Sequence, residues 1–303
     1  MAGLRAAWAW FFRRPYLVLA TTATMWAGNA VAGRLAVGEV SPMALTCLRW
    51  LIALAALAAL AGGQIRTEAP RLLPRWRYVV LMGAFGYTAF NALFYVSAHH
   101  TTGVNMAIIQ GGMPALVLLG GLAVYGTRIR AVQIVGMVVT LVGVALVATK
   151  GDLTTILAVA FNVGDVWMIG ACVLYAGYTV FLRDRPSVSG LTLFAVFAAV
   201  AFVTSLPLVA YEIAAGTVQW PTPKGWLIML FIGLFPSFLA QLFFMRGVEL
   251  IGPGRAGLFV NLVPVFGAFL AVLILGEPFH LHHAAALVFV LGGIFIAERI
   301  GAR

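Results

Sequence analysis

Five amide side chains, Asn29, Asn91, Gln110, Gln241 and Asn261, stand inside long apolar stretches of this chain. An amide offers donors and an acceptor, so away from water it must pair with another side chain or with a solute. A zwitterion, or a compound with an amide of its own, suits such a set. Aromatic rings accompany the amides. Tyr87, Asn91 and Tyr95 recur every four residues, which puts all three on one helix face. Trp26, Tyr175 and Tyr178 lie deeper in their stretches than rings of an interfacial belt do. All these amides and rings are candidate substrate-binding residues, and the competing use of each is a contact between helices. Pro114, Pro236 and Pro264 also fall within apolar stretches, where a missing N–H and a ring clash bend a helix. They are candidate hinge or gating positions.

Groups that make or break bonds are placed less favourably. Asp165, Glu249, Glu277, His99 and His100 sit near the ends of apolar stretches, and no carboxylate falls in the middle of one. Proton coupling through His99 or Glu249 is the nearest alternative to simple gradient-driven passage. Arg49 lies close enough to the end of its stretch to carry its charge to the surface along a flexible stem. His280, His282 and His283 cluster in a loop without a nearby ligand set, which does not read as a metal site. No nucleophile elbow, phosphate loop or zincin motif occurs. The expectation is a protein that is not an enzyme and uses no cofactor. A polytopic membrane enzyme would need a convergent acid, base, metal or nucleophile set, which the chain does not display.

The elements that position these residues follow from composition. Of 303 residues, 63% are hydrophobic and 9% charged, with a mean hydropathy of +1.03. A soluble domain carries about 25% charged residues, so this is an all-α integral membrane protein surrounded by lipid. The net charge of +10 does not indicate nucleic acid, because the basic residues sit in short loops and form no stripe. Cys47 and Cys172 lie in apolar stretches and imply no disulfide framework. Arg5, Arg13 and Arg14 precede a first stretch that is long enough to span and shows no cleavage site, so it reads as an uncleaved helix.

Spanning takes about 20 apolar residues. Ten stretches qualify: 16–35, 42–61, 78–98, 104–125, 131–149, 163–182, 190–211, 225–246, 255–275 and 283–300. Threading them alternately collects Arg5, Arg13, Arg14, Arg66, Arg71, Arg75, Arg77, Arg128, Arg130, Arg183, Arg185, Arg246, Arg255, Arg299 and Arg303 on one side. The other side holds Arg34, Lys150 and Lys224. Basic loops stay in the cytoplasm, which makes both termini cytoplasmic.

The chain also resembles itself. The segment GYTAFNALFYVSAHHTTGVNMAIIQGGMPAL from Gly86 returns as FPSFLAQLFFMRGVELIGPGRAGLFVNLVPV, placing Asn91 on Gln241 and Pro114 on Pro264. MWAGNAVAGR at 25–34 likewise matches LYAGYTVFLR at 174–183. Residues 1–150 and 151–303 therefore read as two five-helix repeats forming one integrated membrane domain. An odd helix number inverts the second copy, an arrangement from which channels and secondary transporters can both be built.

These residues resemble the drug/metabolite transporter superfamily, specifically its EamA-type ten-helix exporters. The carriers are FYVSAHHTTGVNMAIIQGGMPALVLLGG and LGEPFHLHHAAALVFVLGGIFIAER, with Gly276 and Glu277 on the family's Gly-Glu and Gly292–Gly293 in its closing helix. Within the family the chain is most similar to the aromatic amino acid exporter branch (YddG-like). It departs at Tyr125-Gly126-Thr127, where the first half has no matching acid. The resemblance implies a cavity surrounded by the third, fourth, eighth and ninth helices. The first, second, sixth and seventh would rock against them, with the fifth and tenth peripheral. It further implies a multi-pass protein of the bacterial inner (plasma) membrane that exports amino acids or similar amphipathic metabolites by alternating access, and it is compatible with a monomer.

The basic asymmetry predicts the outcome of impermeant thiol labelling in intact cells. Cysteines introduced at Thr67 and Ser187 stay unlabelled and one at Thr222 reacts. Labelling of the first two would overturn the orientation and with it the inverted repeat.

Overall fold

The computed structural model describes residues 10–151, 162–252 and 256–297, which are helical with no strand among them. Arg5, Arg255, Arg299 and Arg303 lie outside the described residues. Lipid offers a backbone no partners, so an apolar stretch must satisfy its own N–H and C=O groups, which a helix does. The helices are α1 (Pro15–Leu35), α2 (Pro42–Glu68), α3 (76–98), α4 (Gly103–Tyr125), α5 (Ala131–Ala148), α6 (Val163–Phe181), α7 (Gly190–Ala214), α8 (Pro223–Ile251), α9 (Val263–Leu275) and α10 (Leu281–Phe295). A helix thus lies on each apolar stretch of the sequence. Among the described residues, five continuous helical runs are long and apolar enough to cross a membrane, and the first, Pro42–Ala98, extends over 57 residues. That is nearly three times the length of one crossing. It contains a non-helical break at Ala61 and a 3-10 stretch, Ala69–Arg75.

Start signals are local. Pro15, Pro42 and Pro223 occupy first turns, where the missing donor costs nothing. Thr102, Ser189 and Thr222 cap α4, α7 and α8 with side-chain oxygens. Gly126 and Gly276 end α4 and α9 with φ of +60° and +66°, a left-handed geometry that glycine adopts without strain.

Structural irregularities recur at the spacing seen in the sequence. A π-helical turn occupies Ala84–Ala89 in α3 and another Gly233–Leu239 in α8. Asn91 and Gln241 each stand two residues past such a turn. α4 breaks between Gln110 and Met113, and a 3-10 stretch, Leu258–Leu262, precedes α9. Pro114 and Pro264 consequently sit in first turns rather than at kinks inside a helix.

Two glutamates fix α2 and α7 as antiparallel neighbours. Glu212, near the end of α7, accepts the Ser41 hydroxyl and the backbone N–H groups of Met43 (3.1 Å) and Ala44 (3.3 Å) at the start of α2. Glu68, ending α2, accepts the N–H (3.1 Å) and hydroxyl (2.6 Å) of Ser189 before α7. Each helix closes the other's orphan donors. α5 and α10 cross in backbone contact, since a Cβ on Gly143 would stand 2.7 Å from the Ala286 carbonyl.

The molecule has two unlike ends. At one, Arg75 donates to the Asp184 carbonyl (2.9 Å), Tyr78 to that of Phe181 (3.0 Å) and Arg246 to that of Phe12 (3.3 Å). Of the described basic residues, Arg13, Arg14, Arg66, Arg71, Arg77, Arg128, Arg130, Arg183 and Arg185 flank the helix ends gathered there. At the other, Arg34 bonds the Ala98 carbonyl and lies 3.6 Å from Glu277, and Lys224 pairs with Glu39 at 3.1 Å.

Replacing Glu212 by Ala strands two N–H groups in the first turn of α2. The expected loss is about 1–2 kcal/mol, read as a melting temperature several degrees lower in detergent. Glu249→Gln, at a residue exposed beside Arg246, leaves the melting temperature in place. Equal melting of the two variants would contradict the capping role.

Candidate functional site

Between the helices lies a cavity of about 1020 Å³, within the size range of small-molecule sites. It is lined by Trp26, Asn29, Tyr87, Asn91, Gln110, Tyr175, Tyr178, Gln241 and Asn261, together with Pro114, Pro236 and Pro264. Tyr95 is the exception among the candidates. It shares the face of Asn91 but lies one turn further along α3, fully buried beneath the wall.

Arg49 corrects the sequence-based expectation outright. Its guanidinium does not reach a surface: the residue is 4% exposed and lines the cavity. It donates to Asn91 Oδ1 and to the Tyr95 hydroxyl, and twice to Ser237 Oγ, from Nε at 2.9 Å and from Nη2 at 2.6 Å. The Tyr95 hydroxyl in turn donates to Asn29 Oδ1 at 2.8 Å. Five N–H donors and four such bonds leave one donor on Nη2 unspent. The bonds brace α2 against α3 and α8, and through Tyr95 against α1.

The local fold explains why Ser237 is available. Pro236 has no N–H to give the Ile232 carbonyl, one turn back. The Ser237 hydroxyl takes that carbonyl instead, at 2.6 Å, which turns its lone pairs toward Arg49. The Pro236 carbonyl accepts the Trp26 indole N–H at 3.2 Å. Pro236 thereby organises a polar node as well as a π-helical turn.

Rings form a continuous wall away from that node. Arg49 stands over Trp50 (5.0 Å to the ring centroid), which stacks on Tyr87 (4.7 Å, 15° between planes). Tyr87 meets Tyr178 at 5.4 Å, and Tyr178 meets Tyr175 at 5.4 Å. Gly86 admits Tyr178 because a Cβ there would collide with its ring.

The node is the floor. Cavity-lining residues continue from it toward the basic end, through Leu182, Gln133 and Phe194. Beyond the floor, toward the opposite end, Glu277 accepts the Gly103 (2.8 Å) and Val104 (2.9 Å) N–H groups, and Asp165 accepts Thr101 and Asn105. Glu277 therefore caps α4, the partner that Thr127 in the first half does not match in charge. His99, at this end, is pushed below the usual imidazole range by burial and then by His100 and Arg34. Neither His99 nor Glu249 lines the cavity. At the tip of α10, His283 Nδ1 accepts the His280 N–H at 3.1 Å, a helix cap.

The wall also differs from the implied arrangement in one respect. α5 contributes Gln133, Met137 and Thr140, and α10 contributes Ile294, with Ala297 just past its end, so these helices are not merely peripheral. Their close glycine crossing lets both approach the interior. Sequence reasoning passed over Ser237, Trp50 and Arg49 as site residues. For Arg49 a signal existed, a charge within an apolar stretch.

The sequence profile of the EamA-like transporter family matches residues 13–149 and again 162–298. An uncharacterised transporter, YyaM, of Bacillus subtilis is 30% identical over 74% of this chain and 73% of its own length. An uncharacterised transporter of Archaeoglobus fulgidus is 24% identical over 93% of this chain and 96% of its own. A solved crystal structure shares the fold with a TM-score of 0.67 at 21% identity, covering 95% of this chain and 99% of that one.

Asn91 and Gln241 correspond in the repeat yet differ in duty. Asn91 holds Arg49, whereas Gln241 lines the cavity nearer the basic end. Asn91→Leu removes an acceptor from a buried cation, at about 1.5–3 kcal/mol, and lowers the melting temperature. Gln241→Leu leaves it within about a degree. Equal destabilisation by both would show that the two amides serve packing alike.

Proposed function

We propose a function from one premise: the chain belongs to the EamA-like transporter family and is a membrane transporter. It exports amino acids, aromatic and large apolar ones foremost, or similar amphipathic metabolites, across the bacterial inner membrane. The assignment to the aromatic amino acid exporter branch is part of this proposal. The observation that carries it is the cavity itself, where stacked rings and amides from both halves of the chain surround a space of about 1020 Å³. Rings accept apolar side chains by stacking and shape, which tolerates several cargoes.

The ten helices cross the bilayer as two inverted five-helix repeats, with the basic end in the cytoplasm. In this orientation the cavity opens inward and the Glu277 and Asp165 layer closes the outer side. Alternating access then exchanges which end is sealed. The candidate residues named above contact cargo, except Tyr95, which holds Arg49 and Asn29 from behind. Pro236 within its π-helical turn, and Pro114 and Pro264 beside the breaks that precede their helical segments, supply the bending points. Gradient-driven passage fits a wall without a carboxylate among its described residues.

Counterflow of a labelled amino-acid panel into liposomes tests the reading. Aromatic and large apolar amino acids exchange, and downhill flux continues after a proton ionophore collapses the pH gradient. Absence of exchange across the panel overturns the substrate class. Loss of downhill flux with the ionophore overturns passage without protons.

A further inference from the structure

Arg49 presents a physical problem that the cavity must solve. Among the described residues lining the cavity it carries the one formal charge, and no carboxylate of the described residues lies within ion-pair reach of it. Its partners, Asn91, Tyr95 and Ser237, are neutral. A buried cation without a counter-ion is costly, and neutral acceptors only partly replace the lost water. One Nη2 donor remains unspent, as derived above. The neighbouring Trp50, 4% exposed and in the same wall, has an indole N–H without an acceptor. The unspent cationic donor thus belongs to a guanidinium that stands over the Trp50 ring in the cavity wall.

We infer that this stretch is an anion subsite, and that cargo is recognised through a single carboxylate placed on Arg49. The inference rests on the transport reading and narrows it. A guanidinium presents its N–H groups in the plane that carboxylate oxygens match. One positive charge neutralises one negative charge, so a monoanion leaves the closed cavity neutral, whereas a phosphate dianion leaves an excess charge. A halide would leave most of the volume and its rings unused. The ring series Trp50, Tyr87, Tyr178 and Tyr175 starts beside the guanidinium and runs away from it. Its ligand therefore has an acid at one end and an apolar or aromatic body. The wall holds no carboxylate for an ammonium among its described residues. Aryl carboxylates bind at least as well as the corresponding amino acids, and amines poorly.

The test uses the purified full-length chain and four phenyl compounds: 3-phenylpropionate, phenylalanine, phenylalanine amide and phenethylamine. Affinities are read by calorimetry and by the ligand-induced shift in melting temperature. The two carboxylates bind, and the amide and amine bind at least tenfold more weakly. Arg49→Gln weakens the carboxylates roughly 10- to 100-fold and leaves the amine unchanged. Arg49→Lys, which keeps the charge without the planar fork, falls between. Should Arg49→Gln not fold, the ranking on the unmodified chain and the Arg49→Lys variant decide the matter. Amine binding as tight as that of the acid, or carboxylate affinity indifferent to Arg49→Gln, overturns the proposal. Exchange of amino acids with Arg49-independent affinity would keep the export reading and remove the anion subsite. Arg49-dependent binding of 3-phenylpropionate without amino-acid exchange would do the reverse.

Discussion

A guanidinium held inside the protein by neutral acceptors constrains the rest of this structure. Burying it requires partners from several helices, and the fold supplies them from α3 and α8, with α1 joined through Tyr95. Removing any acceptor would strand a charged donor. The acceptors in turn have demands of their own. Ser237 is free to accept because Pro236 left it a carbonyl to donate to, and Asn91 is oriented by its bond to the Tyr87 carbonyl at 2.6 Å. The π-helical turns that contain Pro236 and Tyr87 are thus tied to the same charge. A helix irregularity and a polar node are two aspects of one arrangement here.

The two halves share a frame but have diverged in what they place on it. Ser41 and Ser189 precede α2 and α7 and are capped reciprocally by Glu212 and Glu68. Counting eight residues from each serine reaches Arg49 in one half and Phe197 in the other. Phe197 is fully buried and meets Tyr87 at 5.9 Å and Tyr178 at 6.0 Å. One half therefore brings a cation to the centre and the other backs the aromatic wall. On the proposed reading the cargo has two chemically distinct ends, and this asymmetry between the halves gives each end a different wall.

Much of this was legible in the chain. Hydropathy located each helix, because an apolar stretch must satisfy its own backbone, but not every end: α2 runs seven residues past its stretch, and α9 starts eight residues into its own. The repeat offset was readable because Pro114 and Pro264, and Gly126 and Gly276, occupy positions where few other residues fit. The candidate amides and most of the rings do line one cavity, since a polar group in an apolar stretch has few other places to go. Arg49 was misread for a definite reason. It lies seven residues inside α2, and helical side chains lean toward the N-terminus, so a path to the surface was open. What holds it inward are partners 42, 46 and 188 residues away, and such distant partners are invisible to local spacing. Tyr95 failed differently: period four gave its face correctly, but depth along the helix put it under the floor.

The distribution of bonds between the ends bears on how such a cavity changes its access. At the basic end the bonds join α2 to α7, α3 and α4 to α6, and separately α1 to α8. At the opposite end, Arg34 ties α1 to α3, Glu277 ties the end of α9 to α4, and Glu39 ties the α1–α2 loop to Thr222 before α8. The bonds at the opposite end thus pin the two groups of helices together, and Arg49 bridges them at the floor through Ser237. On the proposed reading, cargo that engages Arg49 adds a charged acceptor at that bridge. Its carboxylate takes the unspent Nη2 donor beside the one that Ser237 holds, so the tie between α2 and α8 gains an anionic competitor when the site is filled. An anion that satisfies the guanidinium would then also lower the cost of separating the groups on the outer side. Binding and movement would be coupled through one side chain, and no titrating carboxylate in the wall would be needed.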